Sequence, residues 1–485
     1  MLDPDHDPGA GQLGDMPPEE LREHGHAVIE WIARYLTEVE NYPVLATVRP
    51  GEVASRLPAS APEEGEAMES ILGDLDQLLI PGTTHWNHPG FFGYFAITGS
   101  GPGILAEAIS AALNLNAMIW RTGPAATELE ERTLDWLRQL MGLPAEFRGT
   151  IQDTASVSTL TALLAARHKA LPGLREVGMA ARPVRPLRIY CSEEAHSATE
   201  RAAIIMGIGL QGVRKIATND RLEMDTGALE RAVEEDLMAK VRPLAVVATV
   251  GTTATTAVDP IGQISRLCAR RQLWLHLDAA YGGAAALLPE MRWILAGSER
   301  ADSLVVNPHK WLFTPVDCSA LFFREPEAAR GALSLVPAIL RTPEREVATD
   351  LMDYGPALGR RFRALKLWMV LRYFGAEGVR RRLRKQIELA REFEAWVRDE
   401  PGWEVVIPGQ FSVAVFRYRP AGARGETVNL LNRKIADSVN GSGEAFISHT
   451  PVKGETSLRV AVGNLKTERR HLERAWELLR EAARG

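Results

Sequence analysis

Short apolar runs alternate with stretches of helical periodicity between residues 86 and 325 of this chain. Runs rich in Val, Ile and Leu predict four strands, over residues 187–191, 244–250, 273–277 and 303–306. The segments between them carry apolar residues at helical spacing and predict helices, for example over Ala198 to Met206 and Ile261 to Arg271. This alternation indicates an α/β fold with a mostly parallel sheet and helices on both of its faces.

The regions on either side have different patterns. An acidic N-terminal tail leads to a Pro-Pro-Glu-Glu run typical of a helix start, and apolar residues then recur at helical spacing up to Val39. Residues 49–66 are rich in Pro, Ala, Ser and Glu and predict an extended connection. A long helix is predicted over 360–399, and alternating apolar runs and a final helix follow it. The expected parts are an N-terminal helical arm over 1–85, a large domain over 86–375 and a small C-terminal α+β domain over 376–485.

Composition and charge exclude several classes of protein. Of the 485 residues, 46% are hydrophobic and 24% are charged, which excludes a disordered chain. The net charge is −6, so the chain lacks the excess of basic residues that is typical of a protein that binds nucleic acid or an anionic membrane surface. We find no apolar run long enough to span a membrane and no secretory signal pattern. Three scattered cysteines do not form a disulfide framework or a zinc cluster, so we expect no metal and a cytoplasmic location.

Residues with reactive or polar side chains follow three of the predicted strands. A parallel sheet binds its ligands at the carboxyl ends of its strands. Asp278 ends one strand and is followed by small residues, Lys310 follows another on an apolar turn, and Thr253 follows a third. Taken alone, Asp278 is more often a cap and Lys310 more often a surface lysine. Pyridoxal 5′-phosphate (PLP) needs such a set: a nucleophilic lysine, a carboxylate for its ring nitrogen and donors for its phosphate. The joint pattern therefore predicts a PLP site.

One other pattern is rejected as a site. Gly101-Pro102-Gly103 begins a loose dinucleotide-binding pattern after a plausible strand over Gly93 to Ile97. The acidic residue that a ribose needs is absent from residues 121–127. We therefore expect a tight turn into a helix.

The segment Asn307-Pro308-His309-Lys310-Trp311 resembles the cofactor-lysine motif of the PLP-dependent group II decarboxylases, and the aromatic-L-amino-acid decarboxylases resemble the chain most. The resemblance extends from about residue 16 to residue 480. Further matching segments are Thr84-His85-Trp86, residues 91–95, Glu128-Leu129-Glu130, residues 151–156, Ala195-His196-Ser197, residues 276–281 and residues 358–363. The resemblance implies fold type I of the PLP-dependent transferases, an amino-acid substrate, and a homodimer with active sites at the interface.

It also implies a role for each matching residue. Lys310 would bind the cofactor covalently and Asp278 would pair with its ring nitrogen. His196 would stack on one face of the ring, with Ala280 on the other. Further cofactor contacts are implied for Thr154, Ala155, Ser156, Thr253, Asn307 and His309. The substrate pocket is expected to contain Trp86, Phe95 and Met118, with Gly359 leaving room for a large ring.

One position departs from the family pattern. Relatives carry a tyrosine in a loop after the lysine, where it is thought to protonate Cα, but Ile339 occupies this place here. No tyrosine occurs between Tyr281 and Tyr354, and an isoleucine cannot donate a proton. We expect decarboxylation of an L-amino acid, of the aromatic class, to its amine, with His196 or water as the donor. Two alternatives stay open: an O2-dependent route to an aldehyde, ammonia and peroxide, and a PLP-bound protein without turnover.

Overall fold

The computed structural model describes residues 14–95, 97–181, 185–335 and 337–485. Within these ranges the chain forms two β-sheets, with α-helices packed against them. The strands are β1 Arg148–Gln152, β2 Leu187–Ser192, β3 Val213–Ile216, β4 Arg242–Thr249, β5 Trp274–Asp278, β6 Ser303–Val306, β7 Ser319–Phe323, β8 Trp403–Ile407, β9 Val413–Tyr418, β10 Ser448–Val452 and β11 Glu455–Ala461. The helices are α1 Pro18–Glu38, α2 Glu52–Arg56, α3 Met68–Asp74, α4 Gly101–Leu113, α5 Pro124–Met141, α6 Ala155–Ala170, α7 Leu174–Ala181, α8 Ala198–Ile205, α9 Thr226–Met238, α10 Ile261–Arg271, α11 Pro308–Trp311, α12 Pro326–Leu333, α13 Ala364–Asp399, α14 Glu426–Gly441 and α15 Arg469–Arg484.

The larger sheet has seven strands in the order β1-β7-β6-β5-β4-β2-β3. Neighbouring strands from β6 to β3 pair in parallel, and β7 pairs antiparallel with both β1 and β6. The predicted α/β fold with a mostly parallel sheet is thus confirmed. The four strands predicted from apolar runs all form, and their ends lie within two residues of the predicted positions.

Helices cover both faces of this sheet because successive strand residues point to opposite sides. Leu304 and Val306 of β6 belong to one hydrophobic cluster, whereas Val305 between them belongs to another. The first cluster includes residues of α5, α10 and α13, and the second includes residues of α6 and α8. A strand buried on both faces reads as a continuous apolar run, which is why these strands could be predicted.

The smaller sheet lies near the C-terminus and has four antiparallel strands in the order β10-β11-β9-β8. Its core contains aromatic side chains from α13, β9 and α15, namely Phe393, Phe416 and Trp476. The long helix α13 contains Gly375, whose φ of 64° is left-handed and breaks the helical geometry there. The division of the chain at residues 85 and 375 stays a prediction.

Two local predictions were wrong. The strand expected over Gly93 to Ile97 does not form in its described residues: Tyr94 has a left-handed φ of 52°, and the nearest pairing is an isolated bridge from Phe91 to Phe446. The connection over 49–66 is not extended throughout, because it contains the short helix α2. This helix starts directly after Gly51, whose φ of 89° is left-handed. Glycine adopts this backbone conformation without steric cost.

The first helix of the N-terminal arm is largely exposed to solvent. Helix α1 buries none of its residues, and Leu21, Val28 and Ile29 are exposed. No helix among the described residues is long and apolar enough to cross a membrane.

Candidate active site

The candidate site lies at the carboxyl ends of β4, β5 and β6. The strand register aligns Thr249 with Asp278, and Asp278 with Val305. Beyond the strands, the amide of Asn307 donates to the carbonyl of Ala280 at 3.0 Å, which joins the segments that follow β5 and β6. Asp278 and the segment that carries Lys310 are therefore held at one edge of the sheet.

Lys310 lies in the single turn of α11, directly after β6. Its Nζ is 5.2 Å from the ring centroid of Phe95. Desolvation lowers the pKa of Lys310, and the charge of Asp278 opposes this shift. A lysine with a lowered pKa holds more of its amine in the neutral, nucleophilic form at neutral pH.

Asp278 is a buried carboxylate, 8% exposed, at the end of β5. The amide of Ala280 donates to its Oδ1 at 3.2 Å. Within the described ranges, no nitrogen of a lysine, arginine or histidine side chain lies within 4.0 Å of it. A buried carboxylate usually has a cationic partner. The carboxylate thus fits a protonated ring nitrogen of a bound ligand.

Two imidazoles flank this edge, and both present Nε2 as a donor. The amide of Ala198 donates to Nδ1 of His196 at 3.1 Å, and the amide of Cys318 donates to Nδ1 of His309 at 2.8 Å. The hydrogen of each neutral ring is therefore assigned to Nε2. Desolvation lowers the pKa of His196, which Asp278 opposes, and burial lowers the pKa of His309 to about 4. Both rings are mostly neutral at pH 7.

The N-terminus of α6 faces the same edge. Thr154 occupies the N-cap position without capping the helix through its side chain, and Ala155 and Ser156 form the first turn. The first amides of a helix have no partner within it, so they can bind an anion. One turn further, a chain of hydrogen bonds reaches the lysine segment: Ser158 Oγ lies 2.8 Å from Ser319 Oγ, which donates to Asn307 Oδ1 at 2.7 Å.

A stack of aromatic rings forms a wall beside Lys310. Phe95 stacks on Tyr281 with ring centroids 3.9 Å apart, and Tyr281 stacks on Trp311 at 4.8 Å. The hydroxyl of Tyr281 lies 2.7 Å from Ser412 Oγ, and the indole N–H of Trp311 donates to Gln386 at 2.7 Å. Each buried polar tip of the wall thus has a hydrogen-bond partner. Tyr281 and Trp311 were not among the predicted site residues.

Three of the predicted site residues are not in contact with Lys310 or Asp278 among the described residues. Trp86 packs on Phe91 with centroids 4.4 Å apart, and the carbonyl of Met118 accepts from the amide of Met352. Thr253 lies exposed in the turn after β4. Among the described residues, no hydrogen bond, ion pair or ring contact joins Trp86, Met118 or Thr253 to Lys310 or Asp278. Their roles stay predictions.

A buried arginine was missed altogether. Arg459 lies in β11, is 3% exposed, and has its Cζ 5.3 Å from the ring centroid of Phe95. The signal in the sequence was a single arginine within the apolar run that predicts β11. An arginine is rarely fully buried unless it is paired, so an arginine inside a buried strand is a candidate functional residue.

Histidine burial predicts that the folded state weakens in acid. Burial lowers the pKa of His276 in β5 and of His309 to about 4, from an ordinary 6.5. Above pH 6.5 both rings are neutral in the folded and unfolded chains. As the pH falls from 6.5 to 4, only the unfolded chain takes up the protons, so each histidine lowers the free energy of unfolding by up to about 3 kcal/mol.

Urea unfolding at pH 7 and pH 4.5 measures this effect. The substitution His276→Asn keeps an amide near Nδ1, which lies 2.9 Å from Ser303 Oγ, but removes the titrating ring. We expect a smaller loss of stability between the two pH values in this variant than in the wild type. His449→Asn, at an exposed position, is the control and keeps the wild-type difference. An unchanged difference in the His276 variant contradicts the account.

Comparison with known proteins identifies similar chains. The model of the pyridoxal-dependent decarboxylase conserved domain matches residues 50–419. The chain is 40% identical over 486 residues to phenylacetaldehyde synthase of Arabidopsis thaliana, which covers 98% of each chain. It is also 40% identical over 487 residues to tryptophan decarboxylase 2 of Oryza sativa subsp. japonica, which covers 98% of this chain and 97% of the relative. The structure superposes on a crystal structure of Oryza sativa TDC with PLP and tryptamine with a TM-score of 0.94 and 35% identity, over 98% of this chain and 99% of that one.

Proposed function

The chain belongs to the pyridoxal-dependent decarboxylase family, and from this premise we propose that it converts an aromatic L-amino acid to the corresponding amine and CO2. The cofactor of the enzyme is PLP. The observation that carries the proposal is the set formed by Lys310, Asp278 and the aromatic wall beside them. When bound, PLP accepts the electron pair that remains on Cα as CO2 departs.

The described residues fit the cofactor. The amine of Lys310 would be the covalent attachment point, and the carboxylate of Asp278, which has no cationic partner within 4.0 Å among the described residues, would pair with the ring nitrogen. The open amides at the start of α6, with Thr154, Ala155 and Ser156, would bind the phosphate. The remaining contacts are proposed for the ring and its substituents, through His196, Ala280, Thr253, Asn307 and His309.

His196 supplies the proton that Cα takes up after CO2 leaves. Its Nδ1 already accepts from Ala198, so Nε2–H is the end of the ring that is free to donate. Electrostatic interaction with both Asp278 and Lys310 supports its position next to the reacting atoms. His196 thus takes the role of the proton-donating tyrosine that relatives carry at the position of Ile339. The proton is regained from water, because the imidazole is accessible to solvent.

An aromatic substrate is favoured by the relatives and by the pocket. One relative at 40% identity is named a tryptophan decarboxylase, and others at 40% identity are named tyrosine decarboxylases. In this chain, Phe95 presents an aromatic face near Lys310, and Trp86 and Met118 are proposed as further walls. Gly359 leaves space, since a Cβ built there has Asn116 Nδ2 at 3.7 Å as its nearest neighbour.

Release of labelled CO2 tests the substrate class. The holoenzyme is incubated with L-amino acids that carry ¹³C in the carboxyl group, and the gas is analysed by mass spectrometry. We expect release from tryptophan, tyrosine, phenylalanine or DOPA, and none from glutamate or from the D-enantiomers. Release from glutamate alone contradicts the proposed class, and release from no amino acid contradicts the proposed reaction.

The second candidate function is oxidative conversion to an aldehyde. Two observations favour it: Ile339 replaces the proton-donating tyrosine, and one relative at 40% identity is named phenylacetaldehyde synthase. Amine formation is preferred because Nε2–H of His196 has no partner among the described residues and the ring interacts electrostatically with Lys310. A PLP-bound protein without turnover is the least favoured alternative, since Lys310, Asp278 and His196 all remain.

The enzyme is proposed to be a homodimer with its active sites at the interface. Leu105, Ile109 and Leu113 form an exposed apolar stripe along α4, and the N-terminal arm adds Leu21 and Ile29. Exposed apolar stripes of this kind are typical of interfaces between subunits. In such a dimer, the segment around Met118 can line the partner's site, which accounts for its lack of contact with Lys310 here.

Light scattering on the purified protein measures the assembly. We expect a mass of twice the 53.3 kDa of one chain. Ile109→Glu places a charge in the stripe on α4 and should give monomers, because a desolvated carboxylate without a partner is costly. Leu430→Glu on α14 is the matched control, since Leu430 is 51% exposed on the small domain. A wild-type monomer, or a dimer that persists in the Ile109 variant, contradicts the interface.

The cysteines and the two sheets support a proposed location and a proposed domain division. We place the enzyme in the cytoplasm, which the free, buried state of its three cysteines supports. We keep the three parts over 1–85, 86–375 and 376–485, because the larger sheet and the smaller sheet lie on either side of Gly375.

A further inference from the structure

Arg360 and Glu130 form a buried ion pair at the edge of the larger sheet. They are 7% and 3% exposed, and Nη2 of Arg360 lies 2.9 Å from Oε1 of Glu130. Glu130 belongs to α5, and Arg360 lies in the segment before α13. Taking two charges out of water costs about as much free energy as their attraction returns, so a buried pair is a weak source of stability. The consequence of this pair therefore lies in the geometry that it fixes.

The pair holds both main-chain polar groups of Ile151. The amide of Ile151 donates to Oε1 of Glu130 at 2.8 Å, and Nη2 of Arg360 donates to the carbonyl of Ile151 at 2.5 Å. Ile151 belongs to β1, which is an edge strand of the larger sheet. A buried edge strand needs such partners for the polar groups that face away from its neighbour. The strand leads directly into residues 151–156, here called the phosphate turn, where the proposed phosphate site begins at Thr154.

A second arginine of the same segment holds the phosphate turn at another point. Nη2 of Arg363 lies 2.6 Å from Oδ1 of Asp153, the residue before Thr154. Nε of Arg363 donates to Asp317 at 2.8 Å, which fixes the guanidinium. Residues 360–363 therefore contact the phosphate turn at both Ile151 and Asp153.

The main chain of Arg360 holds a different part of the proposed site. Its amide donates to Oδ1 of Asn116 at 2.9 Å, and its carbonyl accepts from the amide of Ala117 at 2.8 Å. The next residue is Met118, which is proposed for the substrate pocket, and its Sδ lies 3.7 Å from Nδ2 of Asn116. Residues 116–118 are here called the substrate segment. Arg360 thus contacts the phosphate turn through its side chain and the substrate segment through its main chain.

We propose that Arg360 is a positioning residue that couples the phosphate turn to the substrate segment. This inference rests on the proposed function, because Met118 contacts an aromatic substrate only if the chain acts on one. The planar guanidinium binds its partners in fixed directions, so a shift of Ile151 moves the main chain of Arg360 and, with it, Asn116 and Ala117. Displacements of about 1 Å at such supporting residues can cost about a hundredfold in rate.

Two quantities that are measured separately test the coupling. The affinity for PLP is measured by fluorescence titration of the cofactor-free protein, and KM for the aromatic amino acid is measured by CO2 release at saturating PLP. In Arg360→Gln we expect PLP affinity to fall by about tenfold or more and KM to rise by about fivefold or more, with a smaller change in kcat. Arg361→Gln is the matched control. The side chain of Arg361 is 58% exposed and pairs with Glu107, so we expect both quantities to stay within about twofold.

Two further variants separate the coupling from a loss of folding. Arg360→Lys keeps a cation opposite Glu130 for the case in which the glutamine variant does not fold. We expect the same two losses in it, but smaller, since an ammonium lacks the planar fork. Asn116→Ala removes the hydrogen bond to the substrate segment and leaves the ion pair in place. We expect it to raise KM and to leave PLP affinity unchanged.

The outcomes are distinct. A loss of PLP affinity with unchanged KM in the Arg360 variants means that Arg360 supports the phosphate turn alone, and overturns the inference. A lower thermal midpoint with both quantities unchanged means that the ion pair is merely structural, and also overturns it. An unchanged KM in Asn116→Ala overturns the route to the substrate segment. If the wild type binds PLP but releases CO2 from no aromatic amino acid, the proposed function fails together with the inference, whereas an active wild type with unaffected variants contradicts the inference alone.

Discussion

Replacing Lys310 with Ala is expected to lower the rate of CO2 release by at least about a thousandfold, because the reaction loses its covalent attachment point. No other lysine is expected to substitute, since Lys310 alone follows β6 at the edge where Asp278 and His196 lie. The variant should fold, because no carboxylate of the described residues lies within 4.0 Å of the Lys310 amine, so the substitution breaks no ion pair.

A second readout makes this prediction independent of activity. Borohydride reduction followed by peptide mass spectrometry identifies the lysine to which PLP is bound. We expect the label on the peptide that contains Lys310 in the wild type and no label in Lys310→Ala. Lys385→Ala, at an exposed position of α13, is the matched control and should retain both label and activity. Specific labelling of another lysine in the Lys310 variant contradicts the assignment.

Replacing Asp278 with Asn is expected to have the second largest effect. The substitution keeps the shape of the side chain but removes the negative charge that favours a protonated ring nitrogen. Losing one partner of a buried charge pair costs about 3–5 kcal/mol, which corresponds to a loss of about 10²–10⁴ in kcat/KM. Affinity for PLP should fall in the same variant, and fluorescence titration of the cofactor-free protein measures it.

A nearby carboxylate gives the control for this experiment. Asp259 is 1% exposed and accepts hydrogen bonds from the amides of Thr249 and Met224, so it supports the end of β4. We expect Asp259→Asn to lower the free energy of unfolding but to leave the affinity for PLP within about threefold, because it contributes a structural hydrogen bond of about 1–3 kcal/mol. Equal losses of PLP affinity in the two variants would contradict a specific role for Asp278.

The sequence was most informative where local pattern and long-range structure agree. Strand β6 was predicted with its observed bounds, since a strand buried on both faces is a continuous apolar run between polar turns. Because parallel strands end at one edge, the residues after β5 and β6 could be expected to meet. The structure accordingly has Asp278 and Lys310 close enough to influence each other electrostatically.

Other features depend on contacts that a linear pattern does not contain. Residues Gly93 to Ile97 were expected to form a strand. Tyr94 instead adopts a left-handed conformation, and its amide and carbonyl bind Ser448 and Arg459 from the small sheet. Arg459 itself was missed for the same reason: two of its hydrogen-bond partners, Ala254 and Tyr94, lie more than 200 residues away in sequence. The roles of Trp86 and Met118 stay predictions, because no contact joins either side chain to Lys310 or Asp278 among the described residues.

The ratio of O2 consumed to CO2 released tests the central claim most directly. The holoenzyme is supplied with its preferred aromatic amino acid in an oxygen-electrode cell, and the products are separated by mass spectrometry, with Ile339→Tyr as a parallel variant. The account predicts one amine for each CO2, without O2 uptake, for both proteins. Stoichiometric O2 uptake with aldehyde, ammonia and peroxide in the wild type, and a return to amine in Ile339→Tyr, would contradict it.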